Sequence, residues 1–145
     1  MSIPFRFDTV LRLREIERDI RRQAYTQEQA REKILRDDYN RIAAERLHAR
    51  NEFRTLQAGS TWSAAHAVSY DDYFDRLSRE LVEVETMLGE VSVQVTRRRE
   101  ELVEAEIAVK GLQRLSESHQ RTQKKDEQVE DERDRDDFRR SERAA

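Results

Sequence analysis

No cysteine occurs in the chain, which excludes disulfides, thiolate metal sites and a cysteine nucleophile and fits a reducing compartment. Only three glycines and one proline interrupt 145 residues, so turns are few and long helices are expected. The glycines, Gly59, Gly89 and Gly111, stand too far apart for a Gly-x-x-x-x-Gly-Lys loop or a Gly-x-Gly-x-x-Gly turn, which removes both nucleotide-binding patterns. Apolar residues are 36% of the chain, too few for a sizeable globular core, and no run is long enough to span a membrane. The opening Met1 to Phe5 lacks the apolar stretch of a signal peptide, so a cytoplasmic protein is expected. A net charge of -3 with both signs mixed argues against a nucleic-acid partner, which would usually meet a basic face.

What the chain does have is charge, 41% of its residues, and one long apolar row. Steps of three and four residues from Phe74 give Leu77, Leu81, Val84, Leu88, Val91, Val95, Arg98, Leu102, Ala105, Val109 and Leu112, and only Arg98 breaks the row. At this composition the match would arise by chance roughly once in ten thousand, before allowing for choice of frame. A 3.5-residue period keeps a narrow stripe against a partner helix, so the expected fold is all-α, an antiparallel two-helix coiled-coil hairpin forming one domain over residues 1–145.

Helix one is expected over about residues 8–58, with Asp8 or Thr9 as cap, and would be roughly 75 Å long. Its apolar positions are Leu13, Ile16, Ile20, Ala24, Ala30 and Ile34, then, one residue out of step, Leu35, Tyr39, Ile42, Ala49, Phe53 and Leu56, which predicts a change of supercoil phase. Glycine, serine and threonine cluster only at about 59–69, so the turn belongs there, with Trp62 plugging the end. Helix two is expected over about 70–122, capped by Ser69 with Asp71 and Asp72 in its first turn. A turn centred near residue 65 sets position i against roughly 130 − i. The charged tail, 123–145, then has no partner and protrudes as a helical or frayed end, supported only by pairs such as Asp131 with Arg135.

The same offset brings Arg98 opposite Glu32, with Glu28 one turn away, which predicts a register-fixing ion pair inside the seam. His48, His66 and His119 lack metal-ligand spacing, and the acidic run Glu127 to Asp137 is interleaved with Arg133 and Arg135 and lacks a calcium loop's glycine. Arg97, Arg98 and Arg99 spiral around the helix and make no single basic patch. A two-helix hairpin also offers no cleft to gather reacting groups, so neither catalysis nor a cofactor or metal is expected.

The chain resembles the flagellar export protein FliJ family. The resemblance rests on Phe5-Arg6-Phe7-Asp8-Thr9-Val10-Leu11-Arg12-Leu13-Arg14-Glu15 at the start and on Asn51-Glu52-Phe53-Arg54 before the turn. Tyr70, Tyr73, Phe74 and Leu77 follow the turn, then Lys110-Gly111-Leu112-Gln113-Arg114-Leu115 and a close at Gln123-Lys124-Lys125-Asp126-Glu127 that is one residue shorter than the family pattern. It implies a hairpin like the central stalk of rotary ATPases, working without chemistry in flagellar type III export. The implied partners are the ring of the export ATPase FliI, the gate protein FlhA and export chaperones, met by a monomeric hairpin peripheral to the inner membrane through protein contacts. On this resemblance Phe53, Tyr73 and Leu77 would face the gate, although Phe53 and Leu77 also sit on the seam. Arg12, Arg14, Lys124, Lys125, Asp126 and Glu127 would face the ATPase. An injectisome stalk and a general coiled-coil tether are the alternatives; a nucleic-acid-gripping arm is disfavoured by net charge.

Replacing Arg98 with leucine fills the one break in the apolar row, so the variant is expected to melt above wild type while losing uniqueness of register. A lower melting temperature would remove the register-lock reading.

Overall fold

The computed structural model describes residues 6–59 and 62–144. Two long helices, α1 over Asp8–Gln57 and α2 over Ala64–Ala144, pack against each other, with no strand among the described residues, and the fold is the expected all-α hairpin. Phe5 of the opening motif and Ser60 and Thr61 of the turn lie outside the described residues.

Local hydrogen bonds set the helix ends. Leu11 N–H donates to the Phe7 carbonyl at 2.8 Å, so Phe7 takes the cap position and Asp8 falls in the first turn, where its carboxylate suits the positive end of the dipole. At the other end Gly59 N–H donates to the Leu56 carbonyl at 3.1 Å, tightening the last turn. The expected start of helix two near residue 70 is corrected. Ser63, not Ser69, precedes the helix, and its Oγ accepts from the His66 backbone N–H at 3.4 Å. Three of the next four residues are alanine, the strongest helix former, so the helix begins as soon as a cap is available. Ser69, Asp71 and Asp72 lie within α2.

An earlier turn shifts the pairing. Arg21 meets Glu101 at 2.7 Å, where the expected offset would have set it near Val109, and Arg22 lies 3.9 Å from Glu106, so within this part of the pair opposed positions sum to between 122 and 128.

The chain divides into two compact units, Met1–Arg22 with Glu101–Ala145, and Gln23–Glu100. In the Gln23–Glu100 unit Ile42, Leu77 and Leu81 form a buried cluster, with Tyr39, Ala43, Tyr73 and Val84 packed around it. Leu77 is only 1% exposed; truncating a leucine so placed typically costs about 2–5 kcal/mol. Tyr25, Glu28, Glu32, Leu35, Tyr39, Ile42, Glu45, Ala49 and Phe53 are buried or half-buried and keep one three-and-four spacing. The expected phase change between Ile34 and Leu35 is therefore absent. Ile34 is exposed, and the glutamates of the stripe hold the phase that the apolar residues alone misrepresented.

In the other unit α2 supplies the buried aliphatics Leu102 and Val109. Here α1 departs from expectation, because Leu13, Ile16 and Ile20 are more than half exposed while Leu11, Glu15, Arg18 and Arg21 are half-buried. Long charged side chains can lay their stems on apolar surface and keep their ends polar-bonded, and the Arg21 guanidinium is held by the Glu101 carboxylate at 2.7 Å. The α2 row continues through Leu112, Ser116, His119 and Gln123, all half-buried. From Lys124 to Ala144 every residue is exposed, yet the backbone stays helical.

A Cβ placed on Gly89 or Gly111 meets nothing within 4 Å. Gly89→Ala and Gly111→Ala should therefore each stabilise the helix by up to about 1 kcal/mol, read as a higher urea midpoint. A lowered midpoint would reveal a close approach at these positions.

Candidate functional site

Four aromatic rings gather beside the turn. Phe53 ends the α1 stripe and meets Trp62, Tyr70 and Phe74 edge-on, with ring centres 4.9, 5.5 and 6.2 Å away. Trp62 also stacks on Tyr70 at 6.5 Å and lies 6.1 Å from the His66 ring. Tyr70 and Phe74 share a face because they stand four apart on α2. Each edge-to-face pair adds about 0.5–1.5 kcal/mol beyond area burial, so the four rings form a packed cluster. Trp62, half-buried, sits where a plug was expected.

Of the three residues expected to face a gate, Leu77 is corrected: at 1% exposed it is packing, with no surface left for a partner. Phe53 is half-buried at the centre of the aromatic cluster. Tyr73 is half-buried against the Ile42, Leu77 and Leu81 cluster, with the Arg76 guanidinium 5.1 Å from its ring centre. A cleft of about 510 Å³ opens beside Phe53 and Phe74, lined on α1 by Arg46, Arg50 and Arg54. Sequence reading missed these three arginines; their signal is like charge repeated every fourth residue.

The residues expected to face an ATPase are all exposed. Arg14 pairs with Glu17 at 3.0 Å, a contact of little energetic weight at the surface. Arg12 lines a shallow depression with Asp8 and Glu15, while Lys124 and Lys125 line another with Arg121 and Gln128.

Arg98, Glu28 and Glu32 are each half-buried on their helices. All three lie in the Gln23–Glu100 unit, and Glu32 accepts from Arg36 at 3.4 Å. Oε2 of Glu28 is buried without a hydrogen-bond partner, a costly position for a carboxylate unless a cation lies near. His48 sits 3.2 Å from Glu52, and His66 Nδ1 lies 2.9 Å from Ser63 Oγ. Among the described residues no cluster of three or more histidine or carboxylate groups could hold a metal, and no helix is long and apolar enough to cross a membrane. The described surface thus holds an aromatic cluster beside the turn, a basic cleft and an exposed charged helix.

Compared with known proteins, residues 2–143 match the family model described as Flagellar FliJ protein. No curated protein and no solved structure matches the chain.

Phe53→Ala removes the ring on which the cluster centres and should lower stability by roughly 2 kcal/mol. Trp62 is the only tryptophan, so its emission should shift to the red in the same variant. Unchanged emission would mean that the ring contacts do not persist in solution.

Proposed function

The chain belongs to the flagellar FliJ family, and from that membership we propose that it acts as a non-enzymatic stalk and chaperone escort in flagellar type III protein export. The family makes it a component of the flagellar export apparatus. On the finer reading its terminal end enters the FliI ring, the region near the turn meets the gate protein FlhA, and other surface receives export chaperones. The chain would then work at the cytoplasmic face of the inner membrane, held by protein contacts alone. Such work needs stiff helices with exposed side chains.

The observation that carries the reading is the family match across nearly the whole chain, residues 2–143. The helix from Lys124 to Ala144 supports it, because a solvated, charged helical end can enter a ring without first breaking internal packing. Around the turn, Phe53 and Tyr73 keep partial exposure, whereas Leu77 supports them from beneath.

The test is ATP hydrolysis by the cognate export ATPase with the full chain and with a chain ending at Gln123, which keeps every half-buried position of α2. Stimulation by the full chain and its loss on truncation is the expected result. Equal stimulation by both would move the contact away from the exposed end. No stimulation and no co-sedimentation, with both chains shown to be helical, would favour a general tether.

A further inference from the structure

Arg46, Arg50 and Arg54 follow one another at one-turn spacing along α1. Earlier on this helix Arg36 pairs with Glu32 and Arg41 with Glu45, each four residues away. The column has no such neighbours. The residues three and four places on either side of its members are Ile42, Ala43, Leu47, Ala49, Asn51, Phe53, Gln57, Ala58 and the column's own arginines, without one carboxylate. No side-chain hydrogen bond or ion pair to the three guanidinium groups occurs among the described residues. Like charges one turn apart repel, so the column opposes the helix that carries it.

The column also borders the cleft of about 510 Å³, whose apolar wall includes Leu47, Phe53 and Phe74 and which no carboxylate lines. Uncompensated guanidinium groups beside an aromatic wall form a recognition surface with two requirements. A ligand must bring negative charge repeated at the column's spacing, about 6 Å for each four-residue step, and an apolar side chain for the wall. A helix with carboxylates every fourth residue meets both, and arginine grips carboxylates with paired, directional hydrogen bonds.

We propose that the Arg46–Arg50–Arg54 column and its cleft form a docking groove for an acidic amphipathic helix of a partner protein. The carboxylates of that helix seat on the arginines, and an aliphatic or aromatic side chain enters between Leu47, Phe53 and Phe74. A protein ligand is favoured over a phosphate-bearing polymer or membrane because the wall is apolar and the whole chain carries a net charge of -3. The groove shares Phe53 with the gate-facing patch, but neither the column nor its test depends on the gate or ATPase assignment.

The probe is a fluorescent synthetic amphipathic helix with glutamate at every fourth position and leucine on the adjoining face, together with a twin carrying glutamine instead. Binding to the full-length chain is followed by anisotropy at low and moderate salt. The glutamate helix should bind about tenfold or more tightly than its twin, and salt should weaken it. R46Q/R50Q/R54Q should lose about tenfold of that affinity, whereas R139Q/R140Q/R143Q, the same charge change on the exposed end of α2, should stay within about twofold. Helicity by circular dichroism should be retained in both, since all six residues are exposed.

Equal loss in the two triple variants would reduce the effect to overall charge and overturn the proposal. So would wild-type binding that does not distinguish glutamate from glutamine. Column-dependent flotation with anionic vesicles, without column-dependent peptide binding, would reassign the groove to a membrane surface. Self-association abolished by R46Q/R50Q/R54Q would make a second copy of this chain the occupant.

Discussion

A pair of helices can bury each side chain from one direction only, so the hydrophobic seam is about one residue wide, and the rest of this structure follows from that width. Few positions are enclosed: among the described residues the buried apolar ones are Ile42, Ala49, Leu77, Leu81, Val91, Leu102 and Val109. Everything outside the stripe meets water, which is why a chain with 41% charged residues can fold at all. It also leaves little room for a sheltered reaction centre, because enclosure on several sides is what a two-helix pair does not provide.

How much of this is legible in the sequence differs between the helices. The α2 row can be read without error, since its buried positions are aliphatic and the three-and-four spacing is statistically conspicuous. On α1 the same method fails in the first half. Glu15, Arg18 and Arg21 take the seam while Leu13, Ile16 and Ile20 stand outside, so a rule that equates apolar with inward selects the wrong face. The turn is misplaced for a local reason. Ser63 and Ser69 are equivalent as caps, and only the alanines after Ser63 favour the earlier start. That small error propagates along both helices and alters which residues meet, as Arg21 with Glu101 demonstrates.

Candidate sites are less legible than the fold, for a related reason. Leu77 carries both a seam spacing and a family resemblance, and burial decides for packing. Tyr73 cannot be assigned from spacing alone, because a residue beside the seam can pack with one edge and present the other. The unpaired arginines beside the cleft become visible only when each charge is checked for a neutralising neighbour, a question that hydrophobic periodicity never asks.

The aromatic cluster at the turn also bears on the order in which the chain folds. Phe53 meets Trp62, Tyr70 and Phe74 across short loops, whereas Arg21 and Glu101 close one of 80 residues. Loop-closure entropy rises with separation, so early contacts form around the turn and the helices join outward from it like a zipper. The charged half of the seam is then the last to close and the first to open. Amide hydrogens near the ends of this pairing would exchange with solvent through openings that leave the aromatic cluster intact, so this region can loosen without unfolding the protein.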